Sequence, residues 1–184
     1  MSQATATSAR KYTIDPAHSS ARFWVRHLMV TKVHGSIGDI SGSVSSEDGT
    51  VGNVKVEATL QLTTLSTGQA QRDAHLKSAD FFDIERFPTI TFVSTKVVPL
   101  DGNEYDVIGN LTIHGVTREV TLRAEATDEV ANPYGGFKIG VSASTKINRE
   151  DFGMTWNQAL EAGGVVISKE VHIEIDAELD RPSD

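Results

Sequence analysis

The chain has 184 residues, a formal net charge of −8 and no cysteine. This length fits one domain that can bury a core without covalent cross-links. The missing cysteine excludes disulfide scaffolds, thiolate metal sites and cysteine nucleophiles. The net negative charge argues against nucleic acid as a partner, because the sequence predicts no basic surface that could bind its phosphates.

The N-terminal segment, residues 1–11, is rich in Ser, Thr, Ala and Gln and contains no apolar run. This composition predicts a flexible tail, and it differs from that of a signal peptide. One domain is expected to follow, over residues 12–180. Since no apolar run approaches the ~18 residues of a membrane-spanning helix, we expect a cytoplasmic protein without stable membrane insertion.

Alternation of apolar and polar residues dominates the rest of the chain and predicts β-strands. In the first row, Ala21, Phe23 and Val25 alternate with serine, arginine and tryptophan. Each such row has one face for an apolar interior and one for water. Equivalent rows follow at residues 54–62, 89–97, 105–113, 120–127, 137–143 and 171–179.

Short turn sequences separate these rows, as at residues 48–49, 101–103, 114–115 and 133–136. Strands joined by such turns are antiparallel hairpins. About eight strands in succession favour an all-β fold, an extended eight-stranded antiparallel up-and-down barrel, whose closure removes exposed strand edges. A two-sheet sandwich is the alternative that the pattern leaves open.

Two segments interrupt the strand pattern. Residues 67–85 are compatible with a helix, which Ser66 or Thr67 is expected to cap and which ends in adjacent phenylalanines. Residues 148–164 are rich in Gly, Asn and acidic residues and form a long loop, a kind of segment that is often functional.

Sequence motifs for nucleotides, metals and hydrolase chemistry are absent. The six histidines show neither i, i+4 spacing nor an HExxH motif, and no GxSxG is present. The spacing of Gly35, Gly38 and Gly42 matches no phosphate-binding loop and instead predicts a bent strand at a barrel corner. We therefore expect no metal and no cofactor.

Five polar residues are candidates for a site. His27 shares the parity of the first inward row, so it either contacts a ligand head group or bonds to a neighbouring strand. Arg72, Asp73 and His75 form an ionic network or contact an anionic group at the mouth of the barrel. Arg149 allows the same two interpretations, and exposed ion pairs are common and individually weak.

Small residues recur on the inward rows, at Ala58, Gly109, Ala124, Ala143 and Ala177. An eight-stranded barrel is near the width at which side chains either fill the interior or leave room for one ligand. The small residues favour a cavity, which would bind an apolar guest. A filled barrel, acting as a structural or interaction protein, is the alternative.

Several stretches together carry a resemblance to a known family. Two of them read Tyr-Thr-Ile-Asp-Pro-Ala-His-Ser at residues 12–19 and Ile-Asn-Arg-Glu-Asp-Phe-Gly-Met at residues 147–154. The others are at residues 23–27, 72–76, 81–83, 87–92, 109–117 and 170–171. In order and spacing they resemble the YceI-like family of bacterial polyisoprenoid-binding, lipocalin-like proteins, over nearly the whole chain.

The resemblance implies a lipocalin-like barrel with a short helical segment at one end and an elongated apolar cavity. It implies an isoprenoid-type lipid as partner, such as a polyprenyl phosphate or an isoprenoid quinone precursor. The implied role is transport, storage or stress protection. The alternative is an enzyme acting on an isoprenoid or similar apolar substrate, with Asp73 or His75 and Arg149 as its polar groups. A homodimer is compatible with the sequence, because two-fold dimers are the commonest oligomers.

The predicted site has an apolar part and a polar part, with no catalytic residue and no metal ligand. The residues expected to line the apolar cavity are Phe23, Val25, Val56, Ala58, Leu60, Leu76, Phe81, Phe82, Phe92, Leu111, Ile113, Ile139, Val141 and Phe152. Those expected to contact the head group are His27, Arg72, His75 and Arg149.

Overall fold

One continuous antiparallel sheet of eleven strands makes up most of the protein. The structure is a computed structural model that describes residues 9–159 and 164–183. The strands are β1 (Arg10–Ile14), β2 (Ser20–His27), β3 (Thr31–Ile37), β4 (Ile40–Ser46), β5 (Val54–Gln61), β6 (Thr89–Pro99), β7 (Glu104–Ile113), β8 (Val116–Ala126), β9 (Val130–Ala131), β10 (Phe137–Asn148) and β11 (Glu170–Arg181). One α-helix, α1 (Ala70–Lys77), lies between β5 and β6.

Strand pairing closes this sheet into a barrel eight strands wide. Strands β1 and β2 both pair with one edge of β11, at different positions along it. Strand β4 pairs with β1, and β3 pairs with β2. Strands β5, β6, β7, β8 and β10 follow in chain order, and β10 pairs along its whole length with the other edge of β11. The predicted eight-stranded antiparallel up-and-down barrel is thereby confirmed.

The glycine-rich stretch interrupts a strand, as its sequence predicts. Between β3 and β4 the N–H groups of Gly38 and Asp39 donate to Oγ1 of Thr64, at 3.2 and 3.3 Å. Further on, Gly42 has a φ of +149°, and a Cβ there would lie 2.0 Å from the carbonyl oxygen of Glu57. Only glycine fits such a close approach of two backbones.

Two other glycines make room for phenylalanine rings inside the barrel. A Cβ on Gly35 would lie 2.3 Å from Cζ of Phe23 on the paired strand β2. A Cβ on Gly109 would lie 2.6 Å from Cζ of Phe92 and 2.6 Å from the carbonyl oxygen of Val93. Each ring therefore occupies the space that a side chain on the neighbouring strand would need.

The helical segment is shorter than the sequence predicts, because α1 covers only Ala70–Lys77. Its N-cap is Gln69, whose side-chain oxygen accepts a backbone N–H of the first turn at 2.6 Å. The prediction of Ser66 or Thr67 as the cap is wrong. Ser78 ends the helix, since both its N–H and its hydroxyl donate to a carbonyl of the last turn, at 3.1 and 2.8 Å.

The tightest packing lies at the barrel end that carries α1, which we call the helix end. Leu62 and Leu65, in the connection that leads to α1, are 0% and 2% exposed, and Phe152, after β10, is 1% exposed. These side chains belong to one apolar cluster with inward residues of the strands. This cluster attaches the helical segment and the long β10–β11 connection to the barrel.

Two predicted segments lie partly outside the described residues. Of the predicted tail, residues 1–8 are not described, and β1 begins within the remainder, at Arg10. Of the predicted loop at residues 148–164, residues 160–163 are not described. Within the described ranges, no helix is long and apolar enough to cross a membrane.

We predict that Gly109→Ala destabilises the barrel by about 1–3 kcal/mol, the usual cost of overpacking. The new methyl group must displace the Phe92 ring or the backbone of β6. The matched control is Gly38→Ala, because a Cβ at Gly38 would meet no atom within 4 Å. Urea unfolding of both variants measures the effect, and equal midpoints would contradict the packing described for Gly109.

Candidate ligand cavity

An internal cavity of about 530 Å³ runs through the barrel. Its wall includes Tyr12 and Leu179 near the end opposite α1, and His75 and Arg149 at the helix end. The volume falls within the ~300–1,000 Å³ typical of small-molecule sites. Because the wall consists mainly of aliphatic and aromatic side chains, the cavity suits an apolar guest.

All but one of the predicted apolar residues line this cavity. They are Phe23, Val25, Val56, Ala58, Leu60, Leu76, Phe81, Phe82, Phe92, Leu111, Ile113, Ile139 and Val141. Phe152 is the exception, and its predicted place in the wall is corrected. A short 3-10 helix, Arg149–Phe152, turns its ring into the buried core, and its carbonyl accepts a hydrogen bond at 3.2 Å from Nδ1 of His114.

Alanines account for much of the open space. Ala58, Ala124, Ala143 and Ala177 all line the cavity. Gly109, which belongs to the same predicted set, does not contribute, because the Phe92 ring occupies the space beside it. Small side chains thus leave volume only where no neighbouring ring fills it.

Sequence reasoning missed the part of the wall that β1, β3 and β4 supply. These strands place Tyr12, Val33, Ile37, Ile40 and Val44 along the cavity. Their apolar residues do alternate, but the rows are short and interrupted by glycine and serine. The signal that could have found them is this short alternation itself, with Tyr12 and Ile14 on β1, Val33 and Ile37 on β3, and Ile40 and Val44 on β4.

The four predicted head-group residues, His27, Arg72, His75 and Arg149, also line the cavity at the helix end. Arg72 is already engaged within its own segment. Its Nε donates to Oγ1 of Thr67 at 2.7 Å, and its Nη2 donates to the Thr67 carbonyl at 2.9 Å. Its guanidinium therefore holds the loop that leads into α1.

Asp73 lies outside the cavity wall and stabilises the loop that leads into α1. Its carboxylate accepts hydrogen bonds from the backbone N–H of Thr67, at 2.8 Å, and from the Thr67 hydroxyl. The hydroxyl bond is the main reason why the pKa of Asp73 lies below its ordinary value. Of the two interpretations, a network within its own segment and a contact with an anionic group, the first therefore applies to Asp73.

His75 is held in place by one carboxylate and two rings. Its Nε2 lies 2.9 Å from Oδ2 of Asp80. Its ring meets Phe81 and Trp156 edge-on, with centroid separations of 5.1 and 4.7 Å. This side chain thus closes part of the helix end together with two aromatic residues.

Arg149 is a buried cation with one nitrogen to which no described residue bonds. The residue is 3% exposed; Nε donates to the Ser168 carbonyl at 3.0 Å, and Nη1 donates to the Met154 carbonyl. Nη2 is also buried, and no described residue accepts its hydrogen bonds. Burial lowers the pKa of Arg149, although the nearby Glu150 carboxylate acts in the opposite direction.

No carboxylate within residues 9–159 and 164–183 forms an ion pair with Arg149. Its neighbour Glu150 pairs instead with Lys169, at 2.8 Å. An unpaired buried charge is costly, whereas a charged donor gives strong hydrogen bonds to anionic oxygens. Arg149 can therefore bind an acceptor group that enters the cavity.

The opposite end of the cavity has a polar cluster with matched charges. The Tyr12 hydroxyl donates to the Glu129 carboxylate, which also accepts bonds from Arg181 at 3.1 and 3.2 Å. These bonds, led by that of Arg181, lower the pKa of Glu129. Burial is the main reason why the pKa of Tyr12 is raised. Unlike Arg149, this cluster provides its own counter-charge.

One group of potential metal ligands is present among the described residues, outside the cavity. Ligand atoms of Asp15, His18 and Glu178 lie within 4.8 Å of one another. The ammonium group of Lys138 lies 3.6 Å from Asp15 and also pairs with Glu178. Because Lys138 already supplies the positive charge, this cluster is explained as a surface ion-pair network.

Comparisons with known proteins agree with this architecture. The model of the YceI-like domain matches residues 12–179. A UPF0312 protein of Staphylococcus aureus is 41% identical over 168 residues, which cover 91% of this chain and 95% of the relative.

Two solved structures share the fold. BcnA of Burkholderia cenocepacia has a TM-score of 0.78 at 21% identity, covering 90% of this chain and 98% of its own. A polyisoprenoid binding domain from Saccharophagus degradans has a TM-score of 0.65 at 16% identity, covering 93% and 98%. With its sequence matched from residue 12 to residue 179, the chain belongs to the YceI-like family.

Proposed function

We propose that the barrel binds one elongated apolar lipid of the isoprenoid type along its interior. The observation that carries this proposal is the cavity of about 530 Å³ with its largely apolar wall. Membership of the YceI-like family supports it, as does the fold shared with a polyisoprenoid binding domain. Each ~100 Å² of apolar surface that the guest buries contributes about 2.5 kcal/mol before the cost of ordering the chain.

The proposed guest carries a hydrogen-bond acceptor at the end that meets Arg149. Arg149 lines the cavity, and its buried Nη2 lacks an acceptor within the described residues. A phosphate oxygen matches this donor in charge as well as in hydrogen bonding. A polyprenyl phosphate therefore fits better than an uncharged quinone precursor.

The other three predicted head-group residues are secondary contacts in this proposal. Arg72 already bonds to Thr67, so its charge can add electrostatic attraction without a change of partner, and His75 bonds to Asp80. His27 lies at the end of β2 and forms a strand bridge with Ile167. We assign these residues to the surroundings of the head group.

Binding without turnover, in transport, storage or stress protection, is the role that we propose. The enzyme alternative requires Asp73 or His75 to act on a substrate beside Arg149. Asp73 bonds to Thr67 outside the wall, and His75 pairs with Asp80. Incubation with geranylgeranyl diphosphate should therefore return the compound unchanged, and a product that disappears in His75→Ala would establish the enzyme instead.

We predict that Ala58→Trp lowers the affinity for geranylgeraniol by roughly tenfold or more, because the indole fills the cavity beside Phe92. The control is Glu57→Trp, one residue along the same strand on its exposed outer face. Titration of delipidated protein, with native mass spectrometry of the complexes, measures both. If Ala58→Trp folds and binds at full affinity, the guest does not occupy this cavity.

We predict that Arg149→Gln removes the preference for geranylgeranyl phosphate over geranylgeraniol. A hydrogen bond to a charged group contributes about 1.5–3 kcal/mol, so the ratio of the two affinities should fall by roughly ten- to a hundredfold. Lys169→Gln is the control, since it removes a neighbouring exposed cation that is paired with Glu150. An equal loss for both ligands would mean that Arg149 only supports the fold.

A further inference from the structure

We propose that the β2–β3 turn docks the protein reversibly on a bilayer surface rich in anionic lipid. The turn consists of Leu28, Met29 and Val30, which we call the hairpin tip. The bilayer would be the place where the cavity exchanges its guest, and this part of the inference rests on the proposed function. The contact is peripheral, with a few side chains entering the interface between head groups and acyl chains.

The hairpin tip exposes three consecutive large apolar side chains. Leu28, Met29 and Val30 are 42%, 58% and 73% exposed. A single exposed apolar residue is ordinary, but adjacent ones form a patch that marks an interaction site. Among the described residues, the other large hydrophobics with comparable exposure, such as Val130 and Tyr134, lie in different parts of the barrel.

The backbone of the hairpin tip is strained at the residues that it exposes. Leu28 and Met29 have φ angles of +51° and +60°, and the Val30 N–H closes the turn on the His27 carbonyl at 3.0 Å. Two successive positive φ angles are the signature of a type I′ turn, in which Asn-Gly predominates. Each non-glycine residue there costs about 1–2 kcal/mol. With side chains this exposed, packing within the described protein offsets little of that cost.

The charge of the hairpin complements an anionic surface. Residues 20–37 contain Arg22, Arg26 and Lys32 and no acidic residue, although the whole chain has a net charge of −8. Arg22 pairs with Asp176, while Arg26 and Lys32 form no ion pair with any carboxylate in the described ranges. Arg26 and Lys32 face each other across the two strands, next to the tip. Basic residues beside a membrane are attracted to anionic lipid.

An amphipathic aromatic residue, Trp24, lies next to these cations on β2. The Trp24 ring stacks on the His172 ring at 3.5 Å, and Nζ of Lys32 lies 4.0 Å from the centre of the Trp24 ring. Tryptophan and long basic side chains favour the interface between water and lipid. From the turn outward, the hairpin thus presents apolar residues, then cations, then tryptophan, which are the residue types that interfacial anchors combine.

The inner face of the same hairpin belongs to the cavity. His27 and Val33 line the cavity wall a few residues from the tip. The Leu28 N–H also donates to the Val166 carbonyl at 2.8 Å, which ties the tip to the β10–β11 connection. A bilayer in contact with the tip would therefore adjoin the helix end of the cavity.

A protein partner fits this surface less well. A stable protein interface buries on the order of 1,000 Å² or more, beyond the reach of three side chains. A bilayer requires only a small apolar insertion reinforced by charge. The features of the hairpin match the second requirement.

The test is flotation of delipidated protein with vesicles of about three parts phosphatidylcholine to one part phosphatidylglycerol. We expect the protein to bind these vesicles more tightly than vesicles of pure phosphatidylcholine. Binding should also weaken as the salt concentration rises from about 0.05 to about 0.5 M. Met29→Asp should weaken binding by roughly tenfold or more, because a carboxylate opposes both insertion and anionic lipid. Asp tolerates the left-handed backbone, so this variant should keep its fold.

The matched control is Val130→Asp, because Val130 is also 58% exposed but lies on β9, away from the helix end. This variant should bind vesicles like the unchanged protein. The inference is overturned if the unchanged protein does not bind anionic vesicles, or if Met29→Asp and Val130→Asp weaken binding equally.

Two further measurements separate this inference from the proposed function. Met29→Asp should bind geranylgeraniol in vesicle-free buffer with unchanged affinity, and Ala58→Trp should bind vesicles normally. Vesicle binding without binding of the prenyl alcohol would overturn the proposed function alone. Binding of the prenyl alcohol without vesicle binding would overturn the inference alone.

Discussion

The pairing of β11 with both of its neighbours is the constraint on which the rest of the structure depends. All of β10 pairs with one edge of β11, and β1 and β2 share the other edge. Closure sets the barrel at a width of eight strands. Because that width is fixed by the backbone, the inward side chains decide how much of the interior stays empty, and alanine at Ala58, Ala124 and Ala143 leaves it open.

The two ends of the cavity differ in how their charges are balanced. Near one end, Glu129 is bonded by Arg181 and Tyr12, so its charge has a partner inside the protein. At the helix end, Arg149 is buried with one nitrogen unbonded among the described residues. Under the proposed function, a guest with one polar terminus would therefore lie in a single direction, with its apolar tail toward Tyr12. The hairpin tip lies at that same helix end, where such a guest would present its head group.

The sequence predicted the barrel because long uninterrupted rows, such as those at residues 54–62 and 105–113, correspond to strands with one apolar face. It predicted most of the wall for the same reason, since parity alone places Val56, Ala58 and Leu60 on one side. Phe152 was misplaced because the sequence indicates only a loop at this point and does not show the 3-10 helix that buries the ring in the core. Likewise, the open nitrogen of Arg149 depends on which carbonyls happen to lie nearby, and residue order does not contain that information.

The pairing of phenylalanines with glycines has a consequence for which guests the barrel admits. The rings of Phe23 and Phe92 lie against Gly35 and Gly109. At other positions, a side chain on the neighbouring strand limits the width of the interior. A ring turns about its side-chain bonds, whereas a strand in a closed barrel cannot shift alone. Beside Gly35 and Gly109, the open space therefore depends on the rotamers of these two phenylalanines. For the proposed guest, rotation of these rings would thus be the adjustment to a wider or branched chain that breaks no backbone hydrogen bond.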